Sequence, residues 1–171
     1  QNGWRVAAAN DLVLLDLSSP TSTPVYLPDQ GNLEYEVLVS GGYAFCATNN
    51  GGDGRIRIYD ASSPGSARFV REQGGMVGGL TWETLLNYGN YLIAISSARP
   101  NNIGHDVAVI DRTNIHALVK IADIDVPTFD ANYGRISGNL LYLTSASSRD
   151  MVIVDLSTPT TPTVLGRATM P

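Results

Sequence analysis

MVIVDLSTPTTP, residues Met151–Pro162, is an apolar run rich in β-branched residues that stops on an aspartate and passes into a Ser/Thr/Pro turn. The same order of residue types stands at Asp11–Pro24 as DLVLLDLSSPTSTP and at Arg55–Ala67 as RIRIYDASSPGSA, and a worn copy, DVAVIDRTNIHA, runs from Asp106 to Ala117. The anchor aspartates Asp16, Asp60, Asp111 and Asp155 are 44, 51 and 44 residues apart. A second mark, a Gly/Asn turn followed by an apolar run, recurs as NG-WRVAAA (Asn2–Ala9), GG-YAFCAT (Gly41–Thr48), GN-YLIAIS (Gly89–Ser96) and GN-LLYLTS (Gly138–Ser145). Two independent marks in the same order four times define an internal repeat, which governs every other reading of the chain.

Each unit parses into four short strands. In the second they are LEYEVLVS, YAFCAT, RIRIYD and ARFVREQ, with a tight Gly41–Gly42 hairpin between the first two. The third unit gives TWETLLN, YLIAIS, VAVID and ALVKIAD, and the fourth ANYGRIS, LLYLTS, MVIVD and TVLGRAT. Leu80–Asn87 alone could pass for a helix, but its place in the repeat predicts a strand. Four-stranded units at this period are β-propeller blades, small sheets that cover their apolar faces only by stacking on one another. The expected fold is therefore all-β, a propeller of four-stranded antiparallel blades in one segment, with blades at 1–28, 29–74, 75–124 and 125–171. A sandwich would need no repeat, and β-helix coils are shorter. The first unit opens at its second strand, so the chain holds about three and three-quarter blades. The chain starts at Gln1 rather than Met; the expectation is a segment of a longer propeller, the alternative a ring completed by a second copy.

Composition bounds the function classes. The apolar share is 43% and the charged share 16%, which fits a packed domain. Net charge is −5, and ten of the eleven basic residues are Arg without clustering, so nucleic acid finds no electrostatic footprint. No apolar run reaches the roughly 20 residues of a membrane span. A lone cysteine, Cys46, excludes an internal disulfide framework, and its slot, shared with Ala7, Ala94 and Leu143, predicts an inert thiol between blades.

MVIVDLSTPTTPTVLG, and less closely LVLLDLSSPTSTPV, resemble the LVIVD-repeat β-propellers of bacteria and archaea, whose blades carry an apolar strand ending in Asp, a Ser/Asp-x-x-Pro turn and a PxxVG strand. The third copy departs, with Arg112–Thr113–Asn114 in place of the Ser-x-Pro turn. The resemblance implies a secreted or surface repeat module, extracellular or periplasmic, and no particular reaction.

The repeated Asp16, Asp60, Asp111 and Asp155 read as turn caps, one per blade with the same local task, rather than as a metal ring. The informative feature is where the repeat varies. From the start of the second strand to the anchor Asp the units span 12, 17, 20 and 15 residues, so the loop between second and third strands absorbs the difference. Those loops share one end of the propeller with the connectors between blades, and variable loops on a rigid scaffold are where binding concentrates. The candidate binding residues are Asn49, Asn50 and Asp53 in NNGGDG; Arg99, Asn101, Asn102 and His105, beside Asp106, in SARPNNIGHD; and Arg149 and Asp150 in SASSRD. NNGGDG lacks the regular acidic spacing and closing Glu of a Ca²⁺ loop. His105 and His116 fall at opposite ends of a strand, which separates them too far for a shared metal site or triad. No metal, cofactor or catalytic residue is expected.

The leading expectation is a non-enzymatic module that binds a protein or glycan. One alternative is part of a larger propeller hydrolase or oxidoreductase, with Glu36, Glu83, Asn132 and Arg135 at the central channel. Another is a structural ring of two chains.

Overall fold

The computed structural model describes residues 4–8, 12–16, 21, 23–27, 33–49, 54–74, 81–97, 106–145 and 148–169. They form an all-β propeller segment of four antiparallel sheets, in each of which consecutive strands are neighbours. Blade 1 holds β1 (Trp4–Ala8), β2 (Leu12–Asp16) and β3 (Val25–Tyr26). Blade 2 holds β4 (Leu33–Ser40), β5 (Tyr43–Asn49), β6 (Arg55–Asp60) and β7 (Arg68–Gln73). Blade 3 holds β8 (Thr81–Tyr88), β9 (Tyr91–Ser97), β10 (Val107–Asp111) and β11 (Val119–Ile124). Blade 4 holds β12 (Tyr133–Ser137), β13 (Leu140–Thr144), β14 (Asp150–Asp155) and β15 (Thr163–Thr169). The helix-like LTWETLLN is strand β8: the repeat overrides local propensity.

The ladders repeat in detail. Tyr43, Tyr91 and Leu140 open the second strands and pair with the anchors Asp60, Asp111 and Asp155. Between third and fourth strands the register slips at Ile58/Tyr59, Val109/Ile110 and Ile153/Val154, one bulge at the same place in each full blade. Such bulges bend the outer strand and increase its twist. Gly41, Gly89 and Gly138 take left-handed φ values of 61°, 56° and 59° in the inner hairpins, where a side chain would be strained.

Two strands start later than their sequence suggests. β11 begins at Val119 because Asn114 closes a turn, its side chain accepting the His116 N–H and its carbonyl the Ala117 N–H. β12 begins at Tyr133 because Ala131 is tied down by Asp106.

The core lies in the seams between blades. Leu14 and Leu27 of blade 1 meet Ala44, Cys46 and Tyr59 of blade 2. Phe45, Ala47, Ile56 and Ile58 on the other side of blade 2 meet Leu85, Leu92, Ala94, Ala108 and Ile110 of blade 3. Ile93, Ile95, Val107 and Val109 then meet Leu141, Leu143, Val152 and Val154 of blade 4. Successive residues of a strand point to opposite faces, so a blade buried on both sides needs an unbroken apolar run. RIRIYD manages this with a charge, because the buried Arg57 is paired with Glu72 at 2.8 Å. At Gly134 a Cβ would stand 2.5 Å from Ile95 Cδ1, so a side chain there would have to displace Ile95 for β12 to close against blade 3.

Candidate functional site at the loop end of the blades

The two ends of the blades differ in kind. At one end the inner hairpins turn on residues 41–42, 89–90 and 138–139, always the same length. At the other, second and third strands are joined by residues 9–11, 50–54, 98–106 and 145–149, beside the connectors that lead to the next blade. Asn49 is the last residue of β5. Asn50, Asp53, Arg99, Asn101, Asn102 and His105 lie outside the described residues. Arg149 and Asp150 stand where the fourth loop enters β14.

The described part of this end is built around two aspartates at equivalent positions. Asp106 precedes β10, and Asp150 opens β14. Asp106 is grouped by the sequence with the long loop, but it turns inward and is 1% exposed. Its carboxylate accepts the Val126 N–H at 2.7 Å and the Ala131 N–H at 3.1 Å, which folds the connector 125–132 back onto blade 3. Burial pushes its carboxyl up to about 6, helped by the charges of Asp125 and Asp130 and opposed by the two N–H groups. Asp150 is also buried, but beside a cation. Arg167 Nε donates to its Oδ2 at 2.8 Å, Arg167 Nη2 pairs with the same oxygen, and Thr169 donates to Oδ1 at 2.8 Å. The hydrogen bonds from Arg167 hold this carboxyl below its ordinary range.

Arg167 also reaches the connector. It donates to the carbonyls of Pro127 at 2.9 Å and Thr128 at 3.1 Å, and its guanidinium lies 5.7 Å from the centre of the Phe129 ring. Thr128 is held at φ 60° and the exposed Arg149 at φ 54°, the two left-handed non-glycine residues among those described. A β-branched residue in that region is strained and persists only where its surroundings fix it. Strain and the most perturbed carboxyl thus coincide at the loop end of blades 3 and 4.

The opposite end is occupied by turn chemistry. The Oδ1 atoms of Asp60, Asp111 and Asp155 accept the N–H groups of Ser62, Thr113 and Ser157 at 3.1, 2.8 and 2.7 Å. The side chain of Asp16 is outside the described set. Bonds from Ser62 hold Asp60 below its ordinary range. The departure at Arg112 keeps the cap and adds a staple: its guanidinium donates to Asn87 Oδ1, to Gly89 O at 2.9 Å and to Ser40 Oγ at 3.0 Å, and lies over the Phe45 ring of blade 2. A shallow cleft of about 350 Å³ between blades 2 and 3 has Tyr43, Asp60, Arg68, Phe69, Ile115 and His116 in its lining. Of the channel candidates, Glu36 on β4 is half-buried, and burial raises its carboxyl. Thr84 holds the matching place on β8 and donates to Asn132 O at 3.4 Å, while Arg135 on β12 is exposed. Glu83 precedes Thr84 within the β8 irregularity, so the two glutamates do not share a register position. Among the described residues no three His, Cys, Asp or Glu side chains are grouped to hold a metal ion, and no helix is long and apolar enough to cross a membrane.

Two stretches, residues 35–69 and 134–169, match the LVIVD repeat. The chain carries LVIVD repeats. The matched stretches fall on blades 2 and 4 and include the anchors Asp60 and Asp155. No curated protein matches the chain. Among solved structures, this LVIVD-repeat chain is similar to the periplasmic gluconolactonase PpgL of Pseudomonas aeruginosa, at TM-score 0.75 and 11% identity over 98% of this chain and 51% of that one. It is similar to a candidate 6-phosphogluconolactonase from Bacteroides fragilis, at TM-score 0.66 and 11% identity over 94% and 50%. A chain in a nidogen/laminin complex aligns at TM-score 0.63 and 11% identity over 94% and 56%. These likenesses establish the propeller fold, and the chain spans about half the length of the structures it matches.

Proposed function

We propose that this LVIVD-repeat propeller is a non-enzymatic binding module, secreted or on a bacterial cell surface, that takes a protein or glycan partner on its loop end. The observation that carries the reading is the contrast between the two ends: two-residue turns of constant length on one, joining segments of three, five, nine and five residues on the other. A scaffold that holds its strands, bulges and caps constant while varying one set of loops concentrates its specificity there. The residues assigned to the partner are Asn49, Asn50, Asp53, Arg99, Asn101, Asn102, His105 and Arg149: amide, guanidinium and imidazole donors with one carboxylate acceptor, chemistry suited to hydroxyls and carbonyls. Asp150 anchors the fourth loop from beneath. Likeness to a periplasmic protein and to a chain in a protein–protein complex supports a place outside the cytoplasm and a macromolecular partner.

An enzymatic reading draws on the gluconolactonase likeness and on Glu36, a partly buried carboxylate on an innermost strand. The test sets the two against each other. The chain is applied to arrays of bacterial surface glycans and secreted proteins, and incubated separately with glucono-δ-lactone. The module reading expects a saturable ligand and lactone opening no faster than in buffer. Hydrolysis that is abolished by Glu36→Gln would sink it.

A further inference from the structure

The turn end repeats its backbone but not its chemistry. In each full blade the anchor aspartate sits in one cross-strand row: Tyr43–Asp60–Arg68 in blade 2, Tyr91–Asp111–Val119 in blade 3 and Leu140–Asp155–Thr163 in blade 4. The last member of the row stands eight residues beyond the anchor every time, so the turns correspond position by position. His116 of blade 3 then matches Thr160 of blade 4 and Gly65 of blade 2. In the seam between blades 2 and 3, Arg68 and His116 both line the shallow cleft described above. In the seam between blades 3 and 4 the same two places hold Val119 and Thr160. A pair of cation-forming side chains confined to one seam of a repeating scaffold is not something the fold requires.

The floor of the cleft is apolar and its rim is polar. Tyr43, Val70 and Ile115 line it from positions packed on the core of the seam. The Tyr43 ring is braced by Phe45, 6.5 Å away between centroids, and the Arg112 guanidinium covers Phe45 in turn. On the rim, Asp60 Oδ1 accepts the Ser62 N–H at 3.1 Å and the Ser62 hydroxyl at 2.6 Å, whereas Oδ2 accepts one long bond from Arg68 at 3.4 Å. A carboxylate has about four lone-pair sites and a guanidinium five N–H donors, so this pair keeps an acceptor and several donors for a ligand. His116 is exposed, and its backbone N–H, donated to Asn114 Oδ1 at 3.0 Å, fixes where the residue stands.

The charges of Asp60 and Arg68 offset each other, which favours a neutral ligand over an ion. Donors and acceptors side by side suit hydroxyl groups, since each hydroxyl both donates and accepts. The aromatic face at the floor suits a flat apolar surface. A sugar ring combines the two, with hydroxyls around its edge and C–H groups on its face. The volume of about 350 Å³ lies at the small end of ligand sites, which run from about 300 to 1,000 Å³, and suits one ring rather than a chain of them.

We propose that this cleft binds one neutral hexose ring, its hydroxyls on Asp60, Arg68 and His116 and its apolar face on Tyr43. The site is separate from the loop end and does not rest on the reading given there. Amide chemical-shift titration of the chain tests it with glucose, galactose, mannose and N-acetylglucosamine. Sorbitol, which has the hydroxyls without the ring face, and glucuronate, which adds a charge, serve as comparisons. At least one neutral sugar should move the amides of Tyr43, Arg68 and His116 saturably, with a Kd of about 10 mM or tighter, and sorbitol should not. Arg68→Ala should weaken that binding about fivefold or more. Tyr43→Leu should do the same with the fold intact, because Leu140 fills the matching place in blade 4. Lys120→Ala, which removes a blade 3 cation paired with Asp123, should change nothing. Shifts no larger than those from sorbitol, glucuronate bound more tightly than every neutral sugar, or affinity that survives both Arg68→Ala and Tyr43→Leu would overturn the proposal.

Discussion

Asp106 and Asp150 occupy the same position in successive blades and meet opposite electrostatic fates. Asp150 keeps its charge because Arg167 approaches along the neighbouring strand, whereas Asp106 is buried against backbone N–H groups with Asp125 and Asp130 nearby. A folded-state pKa of about 6, against an ordinary 3.8, means that the folded chain holds this proton more tightly than the unfolded one. The contribution to stability is then full below about pH 4 and is lost as pH rises through about 6. Asp106→Asn removes that titration and leaves one acceptor oxygen for two backbone N–H groups, a cost of about 1–3 kcal/mol. Urea denaturation should find the deficit of the variant largest near pH 4.5 and smaller at pH 7, because only the native side chain weakens over that interval; a deficit that grows with pH would contradict the assignment. None of this was legible in the sequence, where Asp106 stands beside His105 as one more polar loop residue. Its inward turn depends on Val126 and Ala131, 20 and 25 residues away. The Asp150–Arg167 pair was hidden for the same reason, since it requires the register of β14 against β15 with its bulge.

At the scale of elements, the repeat carried nearly all the information. Paired anchors and turns set strand order, hairpin ends and the strand assignment of LTWETLLN, because the register is a long-range constraint that local propensity cannot match. What it left out is how a departure from the repeat is used. The Arg112–Thr113–Asn114 sequence reads as a worn turn, yet the Thr113 N–H keeps the Asp111 cap, and Arg112 holds Asn87 and Gly89 of its own blade and reaches Ser40 and the Phe45 ring of blade 2. Arg112→Ala removes those charge-assisted bonds and should cost about 2 kcal/mol, roughly 4–8 °C in Tm. Arg68→Ala is the control. Arg68 is 77% exposed and 3.4 Å from Asp60, and exposed pairs of this kind contribute under about 1 kcal/mol. Calorimetry on the two variants checks the contrast; equal losses would mean that the staple carries no special weight.

At the scale of the molecule, each blade has two faces and two ends, with different duties. The faces are apolar and build the arc, and the one left open on blade 4 is the natural place for a further blade to seat. The turn end is fixed by caps and the Arg112 staple. The loop end is framed by the connector that Asp106 and Arg167 hold down, and its second-to-third-strand loops vary most in length from blade to blade. The measurement that bears most directly on this division exchanges residues 98–105 for glycine–serine of equal length and reads both melting temperature and affinity for the ligand found on the arrays. The account predicts an unchanged Tm, within about 2 °C for a surface-loop change under about 0.5 kcal/mol, together with loss of at least about tenfold in affinity, or 1.4 kcal/mol. Full affinity in that variant, with loss instead on Arg68→Ala/His116→Ala at the turn-end cleft, would contradict it.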